Sequence, residues 1–130
     1  MAISAHPGLR LVATFFGTIF LGFGLNYIFR PREAYSTFGL PAPTTPTDQH
    51  LMDSFLALFG AKDLFMAVAI YSAAYFGSRK TLGIVLVMAG FCAGVDGYVV
   101  KRHTGTGEWN HWGYGSVITV VGALTLGVLG

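Results

Sequence analysis

Three ionisable residues interrupt stretches that are otherwise apolar: Lys62 and Asp63 in GAKDLFMA, and Asp96 in GVDGY. Two carboxyl groups with a cation beside them are the equipment of acid–base chemistry. One carboxylic acid protonates an oxygen, such as that of an epoxide. The other, as carboxylate, activates water or an internal hydroxyl, or removes a proton. Lys62 would hold the pair in its working charge state. The sequence carries no H-E-x-x-H pattern, no phosphate loop and no nucleophile–base signature, so neither a metal nor a cofactor is expected. Cys92 is alone in an apolar run and supports neither a disulfide nor a metal site.

The elements that position these groups follow from composition. Over half of the 130 residues are apolar, and only 11% are charged, against about 25% in an ordinary soluble domain. A chain this poor in charge does not cover its own surface in water; a bilayer removes the need. A net charge of +2 without a basic, aromatic-interleaved stripe excludes nucleic acid as a partner. The length suits one integral membrane domain over residues 1–130.

The expected fold is all-α, a bundle of four transmembrane helices over about 7–29, 49–77, 80–101 and 111–129. The run from Leu11 to Phe29 is uncharged, too long for a signal-peptide core and not closed by an A-x-A-like site. Arg30-Pro31 ends it. From Arg30 to Gln49, four prolines argue for a long loop with at most one interfacial turn in PREAYSTFG. Asp48 is the expected N-cap of the second helix and Asn110 that of the fourth. The GSRK turn makes helices two and three a tight antiparallel hairpin. Small residues at four-residue spacing, such as Gly90 and Gly94 or Ala57 and Ala61, allow close helix contact. Trp109 and Trp112 form an interfacial belt. Basic residues divide four against three between the two ends, Arg30, Arg32, Lys101 and Arg102 against Arg10, Arg79 and Lys80, which leaves orientation open.

Residues equally far from a tight turn stand level on antiparallel helices. Asp63 lies sixteen positions before Arg79, and Asp96 sixteen after Lys80, each roughly 24 Å from the turn. Asn26 and Tyr27 on helix one, and Tyr114 and Ser116 on helix four, fall near the same level. Asp53, about 15 Å above Asp63, belongs at the mouth, near His103 and His111. A charge within a membrane costs a few kcal/mol even on lenient scales, so these groups must be paired or hydrated. One lysine does not neutralise two aspartates, so one carboxyl is expected to keep its proton beside an ionised neighbour. The plain alternative is an ion pair that only holds helices in register. The expected catalytic groups are therefore Asp63, Asp96 and Lys62. Asn26, Tyr27, Asp53, Tyr114 and His111 are expected to bind substrate, with Phe15, Phe16, Phe20, Phe23 and Phe91 as candidates for an apolar lining.

The motifs YIFRPREAYSTFGLP after helix one, GAKDLFMA in helix two, and the Asp96 region with a histidine-containing loop resemble a family of small four-helix integral membrane proteins of unassigned function, frequent in fungi. Members often have arginine where this chain has Lys62. Some are encoded among natural-product biosynthetic genes. The resemblance implies a tailoring enzyme on a lipophilic polyketide or terpenoid intermediate, placed in the endoplasmic reticulum or another endomembrane. The leading expectation is an epoxide hydrolase or cyclase. An isomerase or non-oxidative cyclase is the alternative within enzymes. A non-catalytic small-molecule or ion-binding protein, or an accessory subunit, is the alternative outside them, and a homo-oligomer is compatible with each.

Overall fold

The computed structural model describes residues 2–130 and is all-α. After a 3-10 turn at Ile3–Ala5 come α1 (Pro7–Phe29), α2 (Pro31–Phe38), α3 (Pro46–Phe76), α4 (Arg79–Thr104) and α5 (Trp109–Leu126). Among the described residues, α1, α3 and α4 are long and apolar enough to cross a membrane. Large apolar side chains such as Phe15, Leu58, Phe65, Val68 and Phe91 face outward. A water-soluble monomer rarely exposes so continuous an apolar surface; facing lipid, it costs nothing. The chain is therefore a multi-pass membrane protein.

Local chemistry explains the helix ends. Pro7, Pro31 and Pro46 each stand in the first turn of a helix, where the missing N–H has no partner to lose. Two of the prolines expected to break up the loop thus start helices instead. PREAYSTF forms a full two-turn helix, closed by Gly39 at φ 94°. The cap of α3 also differs from expectation. It is Thr45, whose hydroxyl accepts the Asp48 N–H at 3.2 Å, and Asp48 lies in the first turn. The last helix starts at Trp109 with Glu108, not Asn110, at the cap position, and ends earlier than expected because Gly127 takes φ 90°.

The closest packing is α1 along α3 and α4 along α5, with a slighter contact between α3 and α4. Glycines explain the two close pairs. A Cβ on Gly60 would stand 2.7 Å from the Gly24 carbonyl oxygen, and one on Gly122 would stand 3.0 Å from that of Gly83. Only hydrogen fits there, so the backbones meet. Hydroxyls add to the α1–α3 contact: Thr18 Oγ1 and Tyr71 OH are 2.7 Å apart, Thr14 Oγ1 and Tyr75 OH 3.0 Å apart. One buried cluster, including Phe16, Phe20, Ile70, Leu86 and Ile118, fills the centre. A second, around Tyr27, Tyr35, Phe38, Leu56 and Val100, seals α2 onto the end where α1 finishes and α5 begins.

Candidate functional site

Between these clusters lies a cavity of about 40 Å³ to which all five helices contribute. Phe23 and Tyr27 come from α1, Phe38 from α2, Lys62 and Asp63 from α3, Asp96 from α4, and His111 and Tyr114 from α5. Consecutive positions on α3 divide their work. Lys62 is directed to the α3–α4 seam, where its Nζ donates to both Asp96 oxygens, at 3.1 and 2.9 Å, and stands 4.9 Å from the centre of the Phe59 ring. Asp63 is turned inward and only 7% exposed. It has neither a salt bridge nor a hydrogen-bond partner within 3.5 Å among the described residues, yet it borders the cavity. Lysine therefore serves one carboxylate and leaves the other facing open space.

The rest of the wall is aromatic and rigid. Tyr27 stacks on Phe23 at 6.1 Å and meets Phe38 edge-on. Phe38 also lies 4.9 Å from Phe59 and 5.2 Å from His111. His111 fixes this roof. Its Nε2 is 2.9 Å from the Phe38 carbonyl oxygen, which only accepts, so Nε2 carries the proton. In the neutral ring Nδ1 then accepts from the Tyr114 hydroxyl at 3.3 Å. The histidine joins α5 to the C-terminal end of α2 and orients a tyrosine at the cavity.

Six of the eight expected site residues meet here: Lys62, Asp63, Asp96, Tyr27, Tyr114 and His111. The other two do not. Asn26 is half-buried on α1 one position away, and it borders no part of the cavity. Asp53 belongs to a separate cluster with α2, where it accepts a hydrogen bond from the Tyr35 hydroxyl and lies 3.5 Å from Arg32 Nε. Burial first, and then Asp53, raises the Tyr35 phenol above its ordinary range, with Arg32 opposing. Among the phenylalanines, Phe23 borders the cavity, Phe16 and Phe20 are in the central core, and Phe15 and Phe91 face outward. Residues not expected from sequence are Phe38, Thr37, Phe59 and Asn110. Phe38 had one available signal: an amphipathic PREAYSTF segment whose Ala34, Tyr35 and Phe38 share a face at helical spacing.

The loop after α4 is braced by a Lys101 Nζ–Glu108 Oε1 pair at 3.0 Å. That hydrogen bond, with the backbone N–H of Glu108 itself, holds the Glu108 carboxyl below the ordinary glutamate range. Trp112 donates from its indole nitrogen to the Gly94 carbonyl at 3.1 Å, while Trp109 is exposed. His103 borders a groove under the proline loop, away from the cavity. Among the described residues, no three His, Cys, Asp or Glu side chains converge as a metal ion requires.

The space admits one reacting group or a few waters, each needing roughly 10–15 Å³ by this measure. A long substrate must keep its bulk outside. The side chain of Lys62 is 30% exposed, so the α3–α4 seam beside the cavity opens outward. A family described as "Domain of unknown function (DUF4267)" matches residues 17–125, which include every residue bordering the cavity. No curated protein and no solved structure matches the chain.

Proposed function

The chain belongs to the DUF4267 family, and we propose that it is a membrane-embedded acid–base enzyme that opens an epoxide, by hydrolysis or cyclisation, on a lipophilic intermediate of polyketide or terpenoid type. In this reading α5, eighteen residues long and so roughly 27 Å, is a fourth span. The two-residue Gly77-Ser78 turn then makes α3 and α4 a hairpin whose far end carries the reacting groups.

The observation that supports the reading is the division of labour between two carboxyls on one cavity. Asp96 is bound to Lys62 through both oxygens, and Asp63 has no such partner. Asp96, paired with the Lys62 ammonium, is assigned as the base. Asp63, without a cation of its own, is assigned as the acid. As the C–O bond of the epoxide breaks, Asp63 delivers its proton to the leaving oxygen. Water, or a hydroxyl of the substrate, forms the new C–O bond and loses its proton to Asp96. Return of that proton to Asp63 restores both groups, and the net change is addition of O–H across the epoxide. Tyr27 presents its hydroxyl to the substrate oxygen, while Tyr114, whose proton goes to His111 Nδ1, offers only its oxygen lone pairs to the cavity. The volume of about 40 Å³ fits an epoxide ring but not a polyene, so the apolar remainder leaves by the seam beside Lys62 into lipid. An isomerase or non-oxidative cyclase would use the same acid and base without the epoxide.

The small volume also favours a second reading, a non-catalytic site for an ion or small molecule. Expression in a host supplied with an epoxidised polyene separates the two. Wild type should yield diol or cyclic ether, and Asp63→Asn and Asp96→Asn should yield neither, with product normalised to the protein that accumulates because Asp96→Asn breaks the pair with Lys62. Normal accumulation with normal conversion by both variants would remove the catalytic assignment. A fluorescent fusion should mark the endoplasmic reticulum or another endomembrane; plasma-membrane labelling alone would contradict that placement.

A further inference from the structure

The two ends of the bundle differ in a way that total charge conceals. The acidic side chains are Glu33, Asp48, Asp53, Asp63, Asp96 and Glu108, and none lies at the end formed by the chain termini and the α3–α4 turn. That end carries Arg10, Arg79 and Lys80, a side-chain charge of +3. The remaining five cations, Arg30, Arg32, Lys62, Lys101 and Arg102, against six acids give −1, and the two values sum to the net +2 of the chain. All four salt bridges among the described residues belong to the second set. Among the described residues, the three cations of the turn end form no salt bridge.

Two of them, Arg10 and Arg79, border a cavity of about 270 Å³, nearly seven times the volume at Asp63. Ser4, His6, Arg10, Ser78 and Arg79 form its polar rim, and Leu82 lies among its apolar lining. The rim is held in place. Arg79, the first residue of α4, donates from Nη1 to the hydroxyl of Ser4 at 2.5 Å, and Ser4 is only 7% exposed. That bond occupies one of the five guanidinium donors and directs the fork toward the cavity. Arg10 leans on the Tyr75 ring at 5.9 Å. Gly130 accepts the Ser4 N–H at 3.2 Å and does not border the space.

We propose that this cavity binds a phosphate-bearing anion, with the Arg10 and Arg79 guanidinium groups on the phosphate oxygens and the apolar lining beneath the ester-linked carbons. Guanidinium forks match phosphate geometry bidentately. Two unpaired arginines around a preformed space at one end of a membrane-spanning bundle lie where phosphodiester headgroups are most concentrated. A polar rim over an apolar floor suits a headgroup with its glycerol better than a bare ion. The site is separate from the acid–base cavity and stands whether or not that cavity catalyses a reaction.

The test uses the full chain in neutral-detergent micelles, with binding read by native mass spectrometry and thermal melting. The probes are phosphatidylglycerol, phosphatidylcholine and inorganic phosphate. Phosphatidylglycerol should bind at least tenfold more tightly than phosphatidylcholine. Arg10→Gln and Arg79→Gln should each weaken it about fivefold, the loss expected for one basic residue near anionic lipid. Arg102→Gln, at the opposite end, should leave it unchanged. Ser4→Ala frees the Arg79 fork and should weaken binding by a smaller factor. Protection by millimolar inorganic phosphate, lost in the same variants, identifies the source as a free anion; protection by the lipid alone identifies a headgroup. Equal binding of both lipids without phosphate protection overturns the site, as does an equal loss in Arg102→Gln. Arg10 is exposed, so its variant decides the matter even where Arg79→Gln fails to fold.

Discussion

Replacing Lys62 with methionine keeps most of the side chain's bulk but leaves the Asp96 carboxylate without its cation. Removing one member of a buried ion pair costs about 3–5 kcal/mol, whereas replacing both members with apolar residues is often neutral. With side-chain exposures of 30% for Lys62 and 14% for Asp96 the pair is only partly enclosed by protein, which puts the single substitution at the low end, about 3 kcal/mol. That is a change of roughly a hundredfold in the unfolding equilibrium. Lys62→Met with Asp96→Leu removes both charges and should recover nearly all of the loss; with Asp96→Leu alone costing about as much as Lys62→Met, a double-mutant cycle should give a coupling near the sum of the two single losses, about 6 kcal/mol. The assay is reversible unfolding in mixed micelles, with tryptophan fluorescence from Trp109 and Trp112. A single-variant loss below about 0.5 kcal/mol, or a double variant as unstable as the sum of the singles, would refute the view that this pair joins α3 to α4. The same double variant also bears on function. A protein that folds at wild-type stability and no longer opens the epoxide shows that the pair does more than hold helices together.

Other outcomes follow from individual contacts. His111→Phe keeps the ring volume but deprives the Phe38 carbonyl of its donor; about 1–2 kcal/mol should be lost, and amide exchange across Ala34–Phe38 should rise about tenfold. Unchanged exchange would mean that packing alone holds α2. Gly60→Ala forces a Cβ to 2.7 Å from the Gly24 carbonyl oxygen and should cost about 1–3 kcal/mol. Gly113→Ala, with nothing within 4 Å, should be neutral or slightly stabilising in the same melts; equal losses would contradict the close-approach account. Glu108 is held below the ordinary carboxyl range by Lys101, so its contribution is complete above the unfolded value near 4.5. It is lost as pH falls through the lower folded-state value. The stability gap between wild type and Glu108→Gln should therefore narrow below that pH, and a gap that widens on acidification would reverse the assigned sign.

Much of the helical layout was legible along the chain because its causes are local. The apolar run closed by Arg30-Pro31 does end at Phe29, since a proline cannot continue the ladder and the charge marks the membrane edge. The loop was misread for an equally local reason. Counting prolines as breakers overlooks that the first helical turn tolerates them, and Pro31 and Pro46 both stand there. The amphipathic spacing of Ala34, Tyr35 and Phe38 was the better guide to α2.

The sequence by itself determined that charge is scarce and that Lys62, Asp63 and Asp96 must lie among apolar residues, because hydropathy and helical rise depend on neighbours in the chain. Tertiary structure alone decided which carboxyl Lys62 serves. Adjacent helical positions point about 100° apart, so Lys62 reaches across the seam to Asp96 while Asp63 turns inward. It also decided that Asp53, which sequence level placed over the cavity, belongs instead to Tyr35 and Arg32. That partnership exists only because α2 folds back against α3. Phe38 and His111, seventy-three positions apart, close the roof together. No local pattern records such a meeting, because the contact depends on how α5 and α2 dock and not on the residues beside either.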